Sequence, residues 1–394
     1  MKKIYTKKTN IIQSDLNRSN FNETSEAMFL TSGFIYNSAE EAEDCFKDLK
    51  KKFMYSRFSN PTVQIFEKKM AELEGAESCL ATSTGMSAVF AIFMSHLKTG
   101  DRIVSSRALF GSCHHIITKI LPRFGIDVVL IDGKDLNLWE DALKKKTKLI
   151  FFETPSNPCL ELIDIKSVVR IAKKYGAKVI VDNVFATPIN QKPLELGADI
   201  VMYSATKHID GQGRVLGGAI LGSKETCDNI IKPFIRNTGP SISPFNAWIL
   251  LKSLDTLDLR VKYQNINAKK IVSFLENHTC VKNIMYPWSK SFDQFKLAKK
   301  QMKDGGNIIS FTLKTKNRHS PKSTAFRFIN KLKLIKISNN LGDTKSLITH
   351  PYTTTHSKLE KKEKRSLRIT ENLIRLSVGL ETHKDLIKDI EQAI

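Results

Sequence analysis

The chain has 394 residues, 41% of them hydrophobic, so it is long enough for a sizeable core and for more than one domain. It carries 62 Lys and Arg against 40 Asp and Glu, a formal net charge of +22. Because the lysines are scattered and no nucleic-acid-binding motif accompanies them, we interpret the charge as solvated helix faces and expect no nucleic acid partner. The alternative, a basic nucleic-acid-binding protein, would show salt-dependent affinity for nucleic acid.

Cysteine usage and hydropathy exclude further classes of protein. The six cysteines lie far apart and form no CxxC pair, so we expect neither a metal site nor disulfides. The polar residues after Lys2 and Lys3 lack the apolar core of a secretion signal, and we expect a cytoplasmic protein. Residues 79–97 contain no Asp, Glu, Lys or Arg, but their Ser, Thr and Gly content favours a buried helix beside a strand over a membrane span.

The predicted elements follow one another in an order typical of an α/β protein. Residues 1–61 are polar and turn-rich and predict an extended N-terminal arm. Apolar residues at helical spacing then predict a helix from Thr62, with Gly75 as its C-cap. From residue 79 to residue 221 strands and helices alternate, which predicts parallel strands with a ligand at their C-terminal ends. The predicted strands are 103–105, 128–131, 149–152, 178–181 and 199–203, and a helix over 165–175 ends at Gly176.

The pattern changes in the last third of the chain. One long amphipathic helix is predicted over 243–276. It is followed by a smaller C-terminal α/β domain with strands at 307–313 and 373–378. We therefore predict a large ligand-binding domain over residues 62–255 and a C-terminal domain over residues 256–394.

The residues that most clearly indicate a function lie at the ends of two neighbouring predicted strands. Asp182 follows one apolar strand, and Ser204, Thr206 and Lys207 follow the next. Pyridoxal phosphate (PLP) requires a lysine for a Schiff base, hydroxyls for its phosphate and a carboxylate that keeps its pyridine nitrogen protonated. Asp182 alone would be a turn carboxylate and Lys207 alone a solvated charge. Together they predict a PLP site with Lys207 as the catalytic residue, and His208 beside it is expected to be structural.

Three further segments fit the same site, each with a simpler alternative. Small residues at 83–87 open an apolar helix whose exposed amides would face the cofactor phosphate, although such a helix start is weak evidence alone. In the loop 153–158, Asn157 would donate to the phenolic oxygen of the cofactor, unless the two prolines mark only turn chemistry. Arg375 would bind the α-carboxylate of an amino acid, unless it faces solvent from an edge strand.

Four motifs, at residues 55–62, 153–158, 182–188 and 204–218, are together specific to one group of proteins. On these motifs the chain resembles the Cys/Met-metabolism family of fold-type I PLP-dependent enzymes. The resemblance implies a large, mostly parallel-sheet cofactor domain, a smaller C-terminal α/β domain and an extended N-terminal arm. It also implies that Lys207 forms the Schiff base and that Asp182 meets the pyridine nitrogen.

The resemblance adds roles that the residues alone do not indicate. It implies that Ser204 and the amides of Gly85 and Met86 meet the phosphate from within the chain. It further implies that Tyr55 and Arg57 reach the phosphate of the neighbouring subunit, so that the site is shared across a dimer. The family's usual assembly is a homotetramer built as a dimer of such dimers.

Two departures from the family pattern narrow the expected activity. Phe110 stands where most members place a tyrosine over the cofactor ring. Its ring can still stack, but it has no hydroxyl for proton transfer. Asn340 lies in a segment, 339–343, where many relatives have Ser-Leu-Gly, and we assign it with Arg375 to substrate binding. Both features resemble the branch of the family that acts on O-succinylhomoserine with sulfide.

The resemblance therefore implies a transferase that converts O-succinylhomoserine and hydrogen sulfide to homocysteine and succinate, by γ-replacement, in methionine biosynthesis. The main alternative is cystathionine γ-synthase, which uses cysteine as the nucleophile. O-acetylhomoserine sulfhydrylase and methionine γ-lyase are less favoured. The lyase's cysteine would fall at Ser112, and Cys113, one position away, is treated as incidental. Arg107 and the run 353–356 are candidates for gripping the acyl group.

Overall fold

The computed structural model describes residues 6–13, 18–315 and 320–394. Two helices, α1 (Lys7–Gln13) and α2 (Ala39–Phe46), lie within the predicted N-terminal arm. The prediction of a wholly extended arm is therefore wrong at both α1 and α2. At α2 the Ser38 hydroxyl accepts from Glu41 N at 3.1 Å and caps the helix. Residues 1–5 and 14–17 of the arm lie outside the described residues. Within the described part of the chain, no helix is both long and apolar enough to cross a membrane.

The large domain is built on a seven-stranded sheet, as the alternating pattern predicted. Its strands lie in the order β1-β7-β6-β5-β4-β2-β3. The five strands β2 to β6 are parallel to one another. The strands are β1 (Ser78–Thr82), β2 (Arg102–Ser106), β3 (Asp127–Ile131), β4 (Leu149–Glu153), β5 (Lys178–Asp182), β6 (Ile200–Ser204) and β7 (Gly218–Gly222). The exception is β7, which runs antiparallel to both β6 and β1. The sheet is therefore mostly rather than wholly parallel.

Helices cover both faces of this sheet and complete two apolar cores. Phe66, Met70 and Trp139 belong to one core, and Phe93 and Ile117 belong to the other. The helices are α3 (Pro61–Glu74), α4 (Gly85–His96), α5 (Gly111–His115), α6 (Leu136–Leu143), α7 (Ile165–Tyr175), α8 (Thr187–Asn190) and α9 (Lys232–Thr238). Helices α3 and α7 end at Gly75 and Gly176, whose positive φ values of 89° and 69° close each helix as predicted.

The long helix predicted over 243–276 is two helices, α10 (Pro244–Leu254) and α11 (Leu257–Asn277). The chain leaves helical geometry at Thr256, where φ is −108° and ψ is 1°. At the break, the Ser253 carbonyl accepts from Thr256 N at 3.3 Å and from Arg260 Nη2 at 2.9 Å. The prediction failed here because the Ser253 carbonyl is satisfied by the side chain of Arg260, at the start of α11. Hydrophobic spacing does not reveal such a contact.

A five-stranded sheet forms the smaller C-terminal unit, in the order β10-β11-β12-β9-β8. Its strands are β8 (Val281–Met285), β9 (Ile308–Leu313), β10 (Lys336–Ile337), β11 (Leu347–Thr349) and β12 (Leu373–Ser377). Its helices are α12 (Phe295–Gln301), α13 (Pro321–Lys331), α14 (Lys361–Ser366) and α15 (His383–Ala393). Both predicted strands are present, as β9 and β12. The predicted boundary after residue 255 falls at the break between α10 and α11, and the domain limits stay a prediction.

Candidate active site

The C-terminal ends of β4, β5 and β6 open into a cavity of about 220 Å³. Glu153 and Asp182 are register partners at the ends of β4 and β5, and Ser204 ends β6. Because parallel strands end at one edge of a sheet, these side chains converge as the sequence predicted. Nine of the predicted site residues line this cavity: Gly85, Met86, Phe110, Asn157, Asp182, Ser204, Thr206, Lys207 and Arg375.

Lys207 projects into the cavity from the turn after β6. Its Nζ donates to Asn340 Oδ1 at 2.7 Å, so Asn340 reaches the lysine although it is not itself part of the cavity lining. Burial, together with the positive charge of Arg375, lowers the pKa of Lys207 to about 8. A large fraction of this amine is therefore neutral near pH 8, which is the state that attacks an aldehyde.

Two buried carboxylic acids, Glu153 and Asp182, line the cavity. Burial raises the pKa of Asp182 to about 7, while its carboxylate accepts from Val184 N at 3.1 Å. Burial and the neighbouring charge of Asp182 raise the pKa of Glu153 well above its usual range. Glu153 accepts from Phe110 N at 2.9 Å and from Asn157 N at 2.6 Å. A positively charged group bound beside this pair would lower the pKa of Asp182 and so favour its ionised form.

The N-terminus of helix α4 lines the cavity together with Ser204 and Thr206. The Thr84 side chain caps the helix by accepting from Ser87 N at 3.0 Å. A Cβ added at Gly85 would lie 2.6 Å from the Ser204 Cβ, so only glycine allows this close approach. Thr206 Oγ1 accepts from Gly217 N at 3.1 Å. These groups form a cradle suited to an anion.

Arg375 also lines the cavity and is buried, with 1% of its surface exposed. It lies on β12 between β9 and β11, so the alternative of a solvent-facing arginine on an edge strand is wrong. Its Nη1 donates to Asn157 Oδ1 at 2.9 Å and its Nη2 to the Asn339 carbonyl at 2.9 Å. Its Nε is buried without a hydrogen-bond partner among the described residues. A carboxylate ligand would satisfy this donor.

Tyr55 and Arg57 lie outside the cavity of their own chain. Tyr55 forms an isolated bridge with Gly33, and 42% of its surface is exposed. The Arg57 guanidinium lies 4.9 Å from the centre of the Phe58 ring and donates to the Arg236 carbonyl. Their assignment to the cofactor of a neighbouring subunit stays a prediction.

Sequence reasoning left several cavity residues without a role. Glu153 was noted only as part of a loop motif, although its place at the end of an apolar strand, level with Asp182, could have revealed it. Cys113 was treated as incidental, yet it lines the cavity with its Sγ 4.0 Å from Met86 Sδ. Of the candidates for gripping the acyl group, Thr355 lines the cavity, whereas the Arg107 guanidinium pairs with Asp132 Oδ2 at 2.6 Å outside it.

The residues present fit pyridoxal phosphate. The glycine-lined cradle at Gly85 suits the phosphate, and Asp182 suits the pyridine nitrogen. Lys207 and Arg375, whose Nε has no partner among the described residues, line the same cavity. The cavity therefore has separate places for the cofactor and for the carboxylate of an amino acid.

Comparison with known proteins identifies the family. The model of the Cys/Met metabolism PLP-dependent enzymes matches residues 8–394. The chain belongs to this family. It is 48% identical over 383 residues to the O-succinylhomoserine sulfhydrylase of Mycobacterium tuberculosis, covering 97% of this chain and 94% of that one. It is 40% identical over 370 residues to an L-methionine gamma-lyase of Treponema denticola, covering 93% and 91%.

A solved structure extends the likeness to the fold and to the cofactor. A putative O-acetylhomoserine (thiol)-lyase of Campylobacter jejuni superposes with a TM-score of 0.94 at 32% identity, covering 99% of this chain and all of that one. That protein carries pyridoxyl-lysine monophosphate. The family member described here is a PLP-dependent enzyme with the fold-type I architecture, which confirms the predicted fold class and cofactor.

Proposed function

We propose that this enzyme converts O-succinylhomoserine and hydrogen sulfide to homocysteine and succinate in methionine biosynthesis. The supporting geometry is the placement of Lys207 Nζ in one cavity with Asp182 and with the unpartnered Nε of Arg375. The 48% identity to the Mycobacterium tuberculosis sulfhydrylase supports this choice of substrates.

The chain's own residues would bind and orient the amino acid substrate. Arg375 would bind the α-carboxylate, since Asn157 and the Asn339 carbonyl already hold both of its Nη atoms in place. Both Nη atoms already donate to these groups, whereas the buried Nε has no partner among the described residues. A carboxylate oxygen could accept a hydrogen bond from this Nε. A substrate bound in this way would have its α-carbon in the cavity that Lys207 also lines.

Lys207 would move the protons of the reaction. When bound, PLP supplies an electron sink for the carbanion formed at the α-carbon. The low pKa of Lys207, about 8, would let its neutral amine accept the proton from Cα at moderate pH. Once the amine has passed that proton on to the bound cofactor, it would be free to accept a proton from Cβ. Asn340 Oδ1 accepts a hydrogen bond from Nζ and so directs the amine. Phe110 has no hydroxyl, so it packs and excludes water while Lys207 carries the protons.

The cofactor would be held by residues of this chain and of a second one. The amides of Gly85 and Met86, with Ser204 and Thr206, would hold the phosphate. We further propose that Tyr55 and Arg57 complete the phosphate site of a neighbouring subunit. Apolar side chains of the same segment support this, since Ile35 is 88% exposed and Leu49 is 74% exposed in the single chain. A homotetramer, built as a dimer of such dimers, is the assembly we propose.

The cytoplasm is the proposed location. All six cysteines are free thiols, as reducing conditions require.

One competition experiment tests the activity. The PLP-loaded enzyme is given O-succinylhomoserine with sulfide and cysteine together, and the products are identified. Homocysteine as the main product supports the proposal. Cystathionine as the main product would instead make the enzyme a cystathionine γ-synthase. O-acetylhomoserine, offered in parallel, tests the acyl group and should turn over more slowly.

Methionine cleavage is the second candidate activity, because Cys113 lines the cavity. Burial raises the pKa of this thiol well above its usual range, so it is a neutral thiol at moderate pH. Methionine offered alone to the same enzyme would give methanethiol and an oxo acid if the lyase activity were dominant. We expect little of either product.

A further inference from the structure

The turn that carries Lys207 is held in place from outside the cavity. Within the turn, Gly211 N donates to the Lys207 carbonyl at 2.7 Å, and Asp210 N donates to the Ala205 carbonyl at 2.9 Å. The next two carbonyls, of residues 208 and 209, accept from a side chain of α11 instead. Arg260 Nη1 donates to the first at 2.8 Å and Nη2 to the second at 3.2 Å.

Arg260 itself is buried and immobilised. Only 6% of its surface is exposed, and burial lowers its pKa to about 10. Its Nε donates to Thr256 Oγ1 at 3.2 Å, and Nη2 also reaches the Ser253 carbonyl. Gly211 has a φ of +67°, and a Cβ there would lie 1.9 Å from Arg260 Nη1. The turn can therefore approach the guanidinium this closely only because residue 211 is glycine.

One helical turn further along α11, Gln264 holds the loop that carries Asn340. Gln264 is fully buried, and its Nε2 donates to the Asp343 carbonyl at 2.8 Å. The same loop joins the lysine turn directly, since Thr344 N donates to the Gly211 carbonyl at 2.7 Å. The turn and the loop are thus tied both to each other and to α11.

We propose that Arg260 and Gln264 are positioning residues that hold Lys207 and Asn340 in the arrangement needed to capture the cofactor. They act on two segments whose side chains meet at 2.7 Å in the cavity, between Lys207 Nζ and Asn340 Oδ1. An error of about 1 Å in such a placement can cost on the order of 100-fold in rate. This inference rests on the proposed role of Lys207.

The step that depends on this placement is the capture of PLP by the free enzyme. The neutral amine of Lys207 attacks the aldehyde carbon, a C=N bond forms, and the aldehyde oxygen leaves as water with the two amine protons. The bound product has a distinct visible absorbance, and borohydride reduction makes the link permanent. The rate of capture therefore reports the position of Lys207 without any turnover of substrate.

Asn267 provides a matched control on the same helix. It is buried, with 1% of its surface exposed, and its Nδ2 donates to the Gly379 and Glu381 carbonyls at 3.2 and 2.8 Å. Like Gln264, it ties α11 to backbone carbonyls. Those carbonyls belong to neither the lysine turn nor the loop with Asn340.

The experiment measures the capture rate in enzyme freed of cofactor and then mixed with excess PLP. Arg260→Met and Gln264→Met should each slow capture by about tenfold or more, because Lys207 is no longer held in place. Arg260→Lys, which keeps the charge and some donors, should lie between Arg260→Met and the wild type. Asn267→Ala should capture at the wild-type rate even though its melting temperature falls.

Wild-type capture rates in both methionine variants would overturn the inference, as would an equal slowing in Asn267→Ala. If Arg260→Met does not fold, Arg260→Lys and Gln264→Met still decide the question. Lys207→Ala separates this outcome from a failure of the proposed function. If borohydride still links PLP to that variant, the assignment of Lys207 is wrong. If it does not, while both methionine variants capture normally, only the positioning role fails.

Discussion

The strand ends of the large sheet and the segment around Tyr55 and Arg57 were both predicted to bind the cofactor, but the structure places these two regions differently. Asp182, Ser204 and Lys207 meet in one cavity within a single chain. Tyr55 and Arg57 lie outside that cavity, in a segment with exposed apolar side chains. The first region is assembled by sheet register, whereas the second needs another copy of the chain to act in the proposed way.

The strand-end region is supported by a buried network of hydrogen bonds. Below the strand ends, the Tyr203 hydroxyl donates to Glu74 Oε2 at 2.6 Å and accepts from Asn183 Nδ2 at 2.7 Å. Gln191 Nε2 continues this buried network to Asn183 Oδ1 and to the Thr154 carbonyl, both at 2.8 Å. The network therefore links the ends of β4, β5 and β6, next to the residues that line the cavity.

The largest effect is expected at the centre of the strand-end region. Lys207→Ala should lower turnover by at least about 10³-fold, because both the cofactor link and the proton transfers depend on this amine. Turnover on O-succinylhomoserine and borohydride-trapped PLP are the measurements. Lys262→Ala, at a site where the side chain is 62% exposed, should keep full activity. Substantial γ-replacement by Lys207→Ala would remove the basis of the assignment.

A mixing experiment tests whether the second region acts across subunits. Arg57→Ala should lower turnover by about 100-fold, because one charged contact to the phosphate is lost. Co-expressed with Lys207→Ala, it should recover about a quarter of wild-type turnover, since half of the random dimers contain one intact site. The co-purified mixture is compared with each variant alone. No recovery would mean that Arg57 acts within its own chain, and full turnover by Arg57→Ala alone would mean that Arg57 does not act at the phosphate.

The pH dependence of cofactor capture tests the buried position of Lys207. Because its pKa is lowered to about 8, the neutral amine is lost as pH falls below that value. The capture rate of the free enzyme should therefore rise through about pH 8 and then level off. Stopped-flow absorbance at several pH values gives the midpoint. A midpoint near the pKa of an exposed lysine, about 10.4, would show that burial does not lower the pKa of Lys207.

The smallest effect is expected from the network below the strand ends. Tyr203→Phe removes a buried hydroxyl and leaves Glu74 and Asn183 each without one partner, which should lower the free energy of unfolding by about 1–3 kcal/mol. Urea unfolding measures it, and turnover should fall by less than it does in Arg57→Ala. Tyr263→Phe, at a residue that is 44% exposed, is the control and should be near neutral. Equal stability in both variants would show that the network does not support the strand ends.

Local sequence was sufficient where the determining contacts are close along the chain. Apolar runs predicted β4, β5 and β6, and glycines at 75 and 176 predicted the ends of α3 and α7. The same spacing predicted one helix where α10 and α11 are separate. At that break Arg260 donates to the Ser253 carbonyl, and the same side chain donates to the lysine turn.

The sequence by itself determined the α/β architecture and the presence of a lysine, a carboxylate and hydroxyls at adjacent strand ends, because strand ends follow from local hydrophobicity. Only the tertiary structure decided that β7 runs antiparallel, that Glu153 shares the cavity with Asp182 and that Arg375 is buried on a central strand. Each of these depends on which strands become neighbours, and strand order results from packing between segments far apart in the chain.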